Sequence, residues 1–291
     1  MLVEWHSRVP GKWILAGEHT VLRGGAALVF PLNSCYLDFK YQPSQSDFKI
    51  DIIGRNNSEL ELIIWSVLEK ALEQLSLKRS DLQGRLTIDC QIVFGSGMGA
   101  SATLAVGLAE FLKYWGGLKT DVFTFAKQME DLFHGESSGV DVAVALHRKP
   151  LLYRRDQPLQ FLESYRLPRL YLSHTGLRGP TKDCVNKVKN LFSTDHEKAL
   201  QIDEHMKKSV DLFKEGLSNP SESVWIQAME LAQSCFQDWG LIPPEAEKHL
   251  IELKQQGALS CKMTGSGGGG YVLSLWRNDP PAEIIKNLIK V

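Results

Sequence analysis

The chain has 291 residues, 43% of them hydrophobic and 23% charged, with a formal net charge of −1. Such a composition suits a folded globular protein of one large or two medium domains, and its charge balance leaves no electrostatic footprint for nucleic acid or an anionic membrane surface. No apolar run approaches the ~20 residues of a membrane span, and MLVEWHSRVPGK contains no apolar leader, so a cytoplasmic protein is expected.

In chain order, the first ~55 residues read as strands and turns. Pro10-Gly11 reads as a turn that delivers Lys12 to the exposed end of a strand, Trp13–Ala16. Leu28–Pro31 and Cys35–Tyr41 read as strands, and Phe48–Ile53 alternates apolar with polar residues. From Leu60 to Leu75 the apolar spacing is helical. Strand Leu86–Phe94 runs straight into a glycine-rich turn, after which Ala100–Tyr114 resumes a helical period. A further helix is expected over Thr120–Phe133, then a turn at Gly135–Gly139 and a short helix. Strands follow at Leu151–Arg154 and Leu170–His174, and Thr181–Gln256 is mostly helical, broken near Asn219-Pro220 and Gly240–Pro244. The chain closes on strand Tyr271–Trp276 and a helix after Pro281. Strands and helices mix without regular βαβ alternation, which favours α+β over a doubly wound sheet. The Pro-containing stretch Leu151–Pro168 suggests two domains, 1–160 and 161–291. Five dispersed cysteines (Cys35, Cys90, Cys184, Cys235, Cys261), odd in number and without a C-x-x-C pair, read as buried free thiols in a reducing compartment.

Four segments carry the chemistry. FGSGMGASATLAVGLAEFL sets Gly95, Ser96, Gly97, Met98, Gly99, Ala100 and Ser101 between a strand and a helix start. Glycines there let successive backbone N–H groups turn inward, and the helix N-terminus adds its own donors, making a phosphate cradle. Ser101 can put a hydroxyl on a phosphate-bound Mg2+. The loop lacks the Gly-Lys-Ser/Thr ending of a Walker A motif, and Gly95, Gly97 and Ala100 also fit a dinucleotide pattern, with Asp121 at a fair offset. Phosphate binding, dinucleotide binding and a structural turn all stay open on this loop alone. VPGKWILAGEHTVLRGG gathers Lys12, Glu18 and His19, any of which alone is more often a solvated side chain. EDLFHGESSGVDVAV places Glu130 four residues before His134, and Ser138 and Asp141 in an S-x-x-D pattern. That pattern reads equally as a helix cap and as a carboxylate base beside a glycine turn. KMTGSGGGGYVLSLW puts four glycines ahead of an apolar strand, which implies close backbone approach to a ligand or another strand.

In this order and spacing, over residues 9–276, the segments resemble the three motifs of the GHMP kinase superfamily, and PGKWILAGEHTVL, HGESSGVD and KMTGSGGGG are most similar to its mevalonate kinases. The resemblance implies a two-domain α+β fold with a cleft between its halves, and transfer of the ATP γ-phosphoryl group to the hydroxyl of a small molecule, mevalonate, in isoprenoid precursor synthesis. It implies Asp141 as base with Lys12 beside it, and Ser101 and Glu130 as ligands of Mg2+. Gly95–Ser101 would wrap ATP, with Gly267 and Gly268 bracing it, while Glu18, His19, Ser138 and Thr181 would line the acceptor pocket. Ala100 stands where the family often has a serine, and Val142 where it often has asparagine. A sugar kinase on the same scaffold and a dinucleotide-dependent oxidoreductase remain as alternatives, and a homodimer is left open. No nucleic-acid or membrane partner is expected.

Overall fold

The computed structural model describes residues 3–54, 58–135 and 137–291. Two compact units share these residues, one formed by Met1–Lys12, Pro31–Phe94 and Met98–Lys149, the other by Trp13–Phe30, Gly95–Gly97 and Pro150–Val291.

The first unit contains the start of strand β1 (Trp5–Ala16) and most of β2 (Ala26–Asp47), followed by β3 (Lys49–Gly54), α1 (Ser58–Gln74), β4 (Gln83–Cys90), α2 (Ala100–Trp115), α3 (Val122–His134) and α4 (Val140–His147). Strand β4 lies between β3, which it pairs in parallel from Lys49↔Arg85 to Gly54↔Cys90, and β2, which it pairs antiparallel from Leu37↔Cys90 to Gln42↔Arg85. Strand β4 alternates buried Leu86, Ile88 and Cys90 with more exposed residues, so one face of the sheet is apolar and needs covering. Helix α2 packs with α1, α3 and α4 and is apolar around most of its circumference, as an enclosed helix must be. Gly107 in its middle is explained by packing: a Cβ there would come 2.0 Å from the fully buried ring of Phe39.

Strand β1 corrects one expectation. It runs unbroken through Pro10-Gly11, so these residues form no turn and Lys12 is buried inside a strand. Proline is tolerated because only its N–H is missing. Gly11 is needed because a Cβ would sit 2.8 Å from both Ile92 Cδ1 and the Met98 carbonyl.

The second unit is built on a four-stranded antiparallel sheet of order β10-β7-β9-β8, where β7 is Arg169–His174, β8 Ser260–Thr264, β9 Tyr271–Trp276 and β10 Ile289–Lys290. Strand β9 is buried on both faces, in keeping with its largely apolar sequence, in which Ser274 is the polar exception. Helices α5 (Thr181–Thr194), α6 (His196–Ser218), α7 (Glu222–Asp238) and α8 (Pro244–Gln255) follow one another, with α5 on α6, α6 on α7, and both α7 and α8 on β8. The break between α5 and α6 falls at Asp195, whose side chain accepts from Lys198 N–H; no glycine or proline announces it. Ala26–Val29 of β2 pair with β5 (Leu151–Arg154), and β5 pairs with β6 (Gln160–Phe161). Ile14 N–H donates to Thr264 Oγ1, which itself donates to the Ile14 carbonyl, fastening the end of β1 to β8. A four-residue helix, α9 (Ala282–Ile285), follows Pro281. All five cysteines are buried and free.

Candidate active site

In the first unit, three chain segments bring ionisable side chains together. Strand β1 supplies Lys12, the first turn of α4 supplies Asp141, and the inner face of α3 supplies Glu130. Lys12 Nζ lies 3.0 Å from Asp141 Oδ2, with the lysine side chain 6% exposed and the aspartate 22%. The ammonium is thus held away from water while the carboxylate keeps an open side.

Gly99, in a left-handed conformation, closes over this pair: a Cβ there would lie 2.8 Å from Lys12 Cγ and 3.6 Å from Asp141 Oδ2. Around it, Lys12 N–H donates to the Met98 carbonyl (2.9 Å), and Thr103 Oγ1 bridges the carbonyls of Pro10 (3.1 Å) and Gly99 (2.9 Å). The end of the glycine-rich loop is therefore tied by backbone and side chain to the strand that carries Lys12. Helices α2 and α4 both start after a left-handed glycine, Gly99 and Gly139, with no side-chain cap on either. Their first-turn N–H groups point out of the helix end and carry its partial positive charge.

The helix-cap reading of Ser138 and Asp141 is not observed. Gly139 is the N-cap, Ser138 Oγ accepts a 3.3 Å bond from Val140 N–H, and the Asp141 carboxylate is turned to Lys12. Glu130 is buried, and its Oε2 has no hydrogen-bond partner among the described residues. Burial, reinforced by the negative charge of Asp141, pushes its carboxyl up to about 8. The His134 side chain and Glu136 lie outside the described residues.

In the second unit, Gly95 and Gly97 take positive φ on either side of buried Ser96, and the turn between β8 and β9 packs against them. A Cβ on Gly270 would come 2.9 Å from the Ser96 carbonyl, and one on Gly265 would come 3.6 Å from that of Gly97. This is the close backbone approach that a run of glycines implies. Gly267 and Gly268, expected at the nucleotide, face the protein as well: a Cβ on Gly267 would meet Leu241, and Gly268 N–H donates to the Leu241 carbonyl (2.8 Å). Thr181 opens α5 with its hydroxyl 3.3 Å from that of Ser266. Arg178 Cδ lies 3.7 Å from where a Gly95 Cβ would be.

Glu18 and His19 are buried in this second unit, so the solvated-turn reading fails for both. Glu18 Oε1 pairs with Lys262 Nζ at 2.8 Å, and His19 Nε2 lies 2.9 Å from the Ser266 carbonyl. Burial holds the His19 imidazole down at about 4, so the ring is neutral at physiological pH. Lys262 was read only as the start of the last glycine-rich segment, with no role of its own, and Trp239 was not singled out. Lys262 carried a signal, a lone cation opening a glycine-rich motif; Trp239 carried none.

The topology removes the dinucleotide alternative. Helix α2 is followed by α3, not by a second parallel strand, and Asp121 is the α3 N-cap, accepting from Thr124 N–H at 2.9 Å. What remains is a carboxylate–ammonium pair under a glycine loop, a buried carboxyl with an oxygen unpartnered among the described residues, and two helix starts opened by left-handed glycines. That set can hold an anionic phosphate and take a proton from a hydroxyl.

Comparison with known proteins agrees. Residues 63–149 match the GHMP kinases N terminal domain and residues 204–290 the GHMP kinases C terminal domain. The chain is similar to the mevalonate kinase of Pyrococcus furiosus, at 28% identity over 92% of this chain and 88% of that one. It is similar to the mevalonate kinase of Pyrococcus horikoshii at 29% identity over 95% and 90%. Among solved structures, L. major mevalonate kinase in complex with R-mevalonate shares the fold, with a TM-score of 0.77 at 24% identity over 94% of this chain and 87% of that one.

Proposed function

Because this chain belongs to the GHMP kinases, we propose that its Lys12–Asp141 pair serves transfer of the ATP γ-phosphoryl group to the 5-hydroxyl of mevalonate. The observation that carries this reading is the 3.0 Å pair itself, packed against Gly99 at the end of the phosphate-type loop. Several relatives named mevalonate kinase, matched over most of their length, supply the acceptor.

Phosphoryl transfer passes through a loose transition state, so the protein chiefly positions two reactants and neutralises charge. Asp141 accepts the proton of the acceptor hydroxyl on its open side. The Lys12 ammonium beside it favours the developing alkoxide and offsets the charge of the moving phosphoryl group. The N–H groups of Gly95–Ser101 at the start of α2 hold the triphosphate. Ser138 and Thr181, with the neutral imidazole of His19, are assigned to the acceptor.

Magnesium fits the residues present. Glu130 Oε2 is buried without a hydrogen-bond partner among the described residues, an oxygen of the hard type that Mg2+ takes, and Ser101 adds a hydroxyl in the first turn of α2. These two residues would hold Mg2+, which when bound neutralises charge on the β- and γ-phosphates. ATP turnover measured with mevalonate, galactose, homoserine and phosphomevalonate tests the acceptor. Turnover is expected with mevalonate at least about a hundredfold above the others in kcat/KM, and no response to mevalonate contradicts the assignment.

A further inference from the structure

Glu18 lies in the first glycine-containing segment and Lys262 opens the last, 244 residues apart in sequence, yet their side chains meet at 2.8 Å with 1% and 0% exposure. The Lys262 ammonium also lies over the Phe236 ring, 5.6 Å from its centroid. A buried ion pair is poor evidence of stabilisation, because desolvating two charges offsets most of their attraction and an apolar pair of similar shape does as well. Here the fit is visibly incomplete. Glu18 Oε2 is buried with no hydrogen-bond partner among the described residues, and so is the indole Nε1 of Trp239.

Next to the pair, the residue after Glu18 holds an unusual backbone conformation. His19 has φ 60 and ψ −43, a conformation that a non-glycine residue holds only when its surroundings impose it. Its ring is packed edge-on against Trp239 (5.0 Å between centroids) and Phe236 (6.4 Å), the ring that also carries Lys262. Because the Ser266 carbonyl can only accept, His19 Nε2 must carry the proton, and Nδ1 is left with its lone pair. Ser266 belongs to the glycine-rich turn that Lys262 opens. The ion pair, the strained backbone and the tautomer thus form one connected unit.

We propose that the buried Glu18–Lys262 pair is a positioning device: it fixes the backbone and tautomer of His19 against the glycine-rich turn and so sets acceptor affinity without touching the acceptor. This rests on the assignment of His19 to the acceptor made above. Glu18 is accordingly a positioning residue, not a pocket-lining one.

The test compares the wild-type protein with Glu18→Gln, Lys262→Met and the double variant, by steady-state kinetics, Tm and the 15N shifts of His19. The single variant Lys262→Met leaves a charge buried alone and lowers Tm; the double variant leaves none and recovers much of it. In the double variant the acceptor KM is expected to stay raised by about tenfold or more while the KM for ATP stays within about threefold. His19, a single Nε2–H tautomer in the wild type, should then show averaged nitrogen shifts. Glu18→Gln preserves shape and gives the same reading alone should the double variant not fold. A recovered Tm with wild-type acceptor KM and an unchanged His19 spectrum overturns the proposal, as does wild-type acceptor KM in a folded Glu18→Gln. The ratios are read on whichever alcohol the wild type phosphorylates, and the His19 spectrum needs no turnover. A failure of mevalonate as acceptor is thereby told apart from a failure of the pair.

Discussion

Glu130 concentrates the electrostatics of the site in one side chain. Its carboxyl is raised from 4.5 to about 8, first by burial and then by Asp141. A raised folded-state value means that folding favours the protonated form. Its contribution to stability is full below about pH 4.5 and is lost as pH rises through about 8. The protein without Mg-ATP should therefore have a lower Tm at about pH 9 than at about pH 6, and Glu130→Gln should flatten that slope. Thermal scans at the two pH values check this; an equal slope in wild type and variant removes Glu130 as its source. His19 titrates with the opposite sense. Its value is lowered to about 4, so the stability it contributes is present above 6.5 and lost as pH falls through 4. At this scale the sequence singled out candidate residues but not their exposure. Lys12 read as a surface residue at a strand end because Pro10-Gly11 looks like a turn, whereas the strand continues and buries it. Ser138 and Asp141 were evenly poised between cap and base, since a local pattern does not reveal the tertiary neighbour, Lys12, to which the carboxylate turns.

Elements were legible wherever the pattern is local. Leu151–Arg154 and Tyr271–Trp276 are strands with the ends expected, α1 to α3 lie within a few residues of theirs, and the short helix expected after Gly139 is α4. Strands β6 and β10, two residues each, have no period to read, and Ser260–Thr264 was hidden by its mixture of polar and apolar residues, all of them buried. Two glycines show how an element can demand a residue for different reasons. Gly107→Ala drives a Cβ into Phe39, and the expected cost is about 1–3 kcal/mol of stability with kcat of the folded protein unchanged. Gly99→Ala places a side chain at φ +75 against Lys12, and kcat is expected to fall about tenfold or more, out of proportion to a loss of about 1–2 kcal/mol. Urea denaturation alongside kinetics separates the two; equal effects on kcat would contradict the assignment of Gly99 to the site.

For the molecule as a whole, the dispersed cysteines pointed to buried free thiols, and the structure has them so. Five thiols are free and buried, with Cys235 and Cys261 pushed up to about 12 by burial. The native protein should resist thiol reagents until it unfolds, and reductant should leave its Tm unchanged; rapid labelling of the native state would contradict this burial. The α+β class followed from the irregular alternation of elements. The interleaving of Trp13–Phe30 and Gly95–Gly97 with residues 150–291 did not follow, because long-range association leaves no local mark. The most direct measurement is turnover by Asp141→Asn, which keeps the shape of the side chain and removes its capacity to take a proton. With mevalonate and Mg-ATP, kcat should fall by about a thousandfold while ATP affinity stays within about threefold. Turnover at the wild-type rate would remove Asp141 as the base, and with it the proposed chemistry of the Lys12–Asp141 pair.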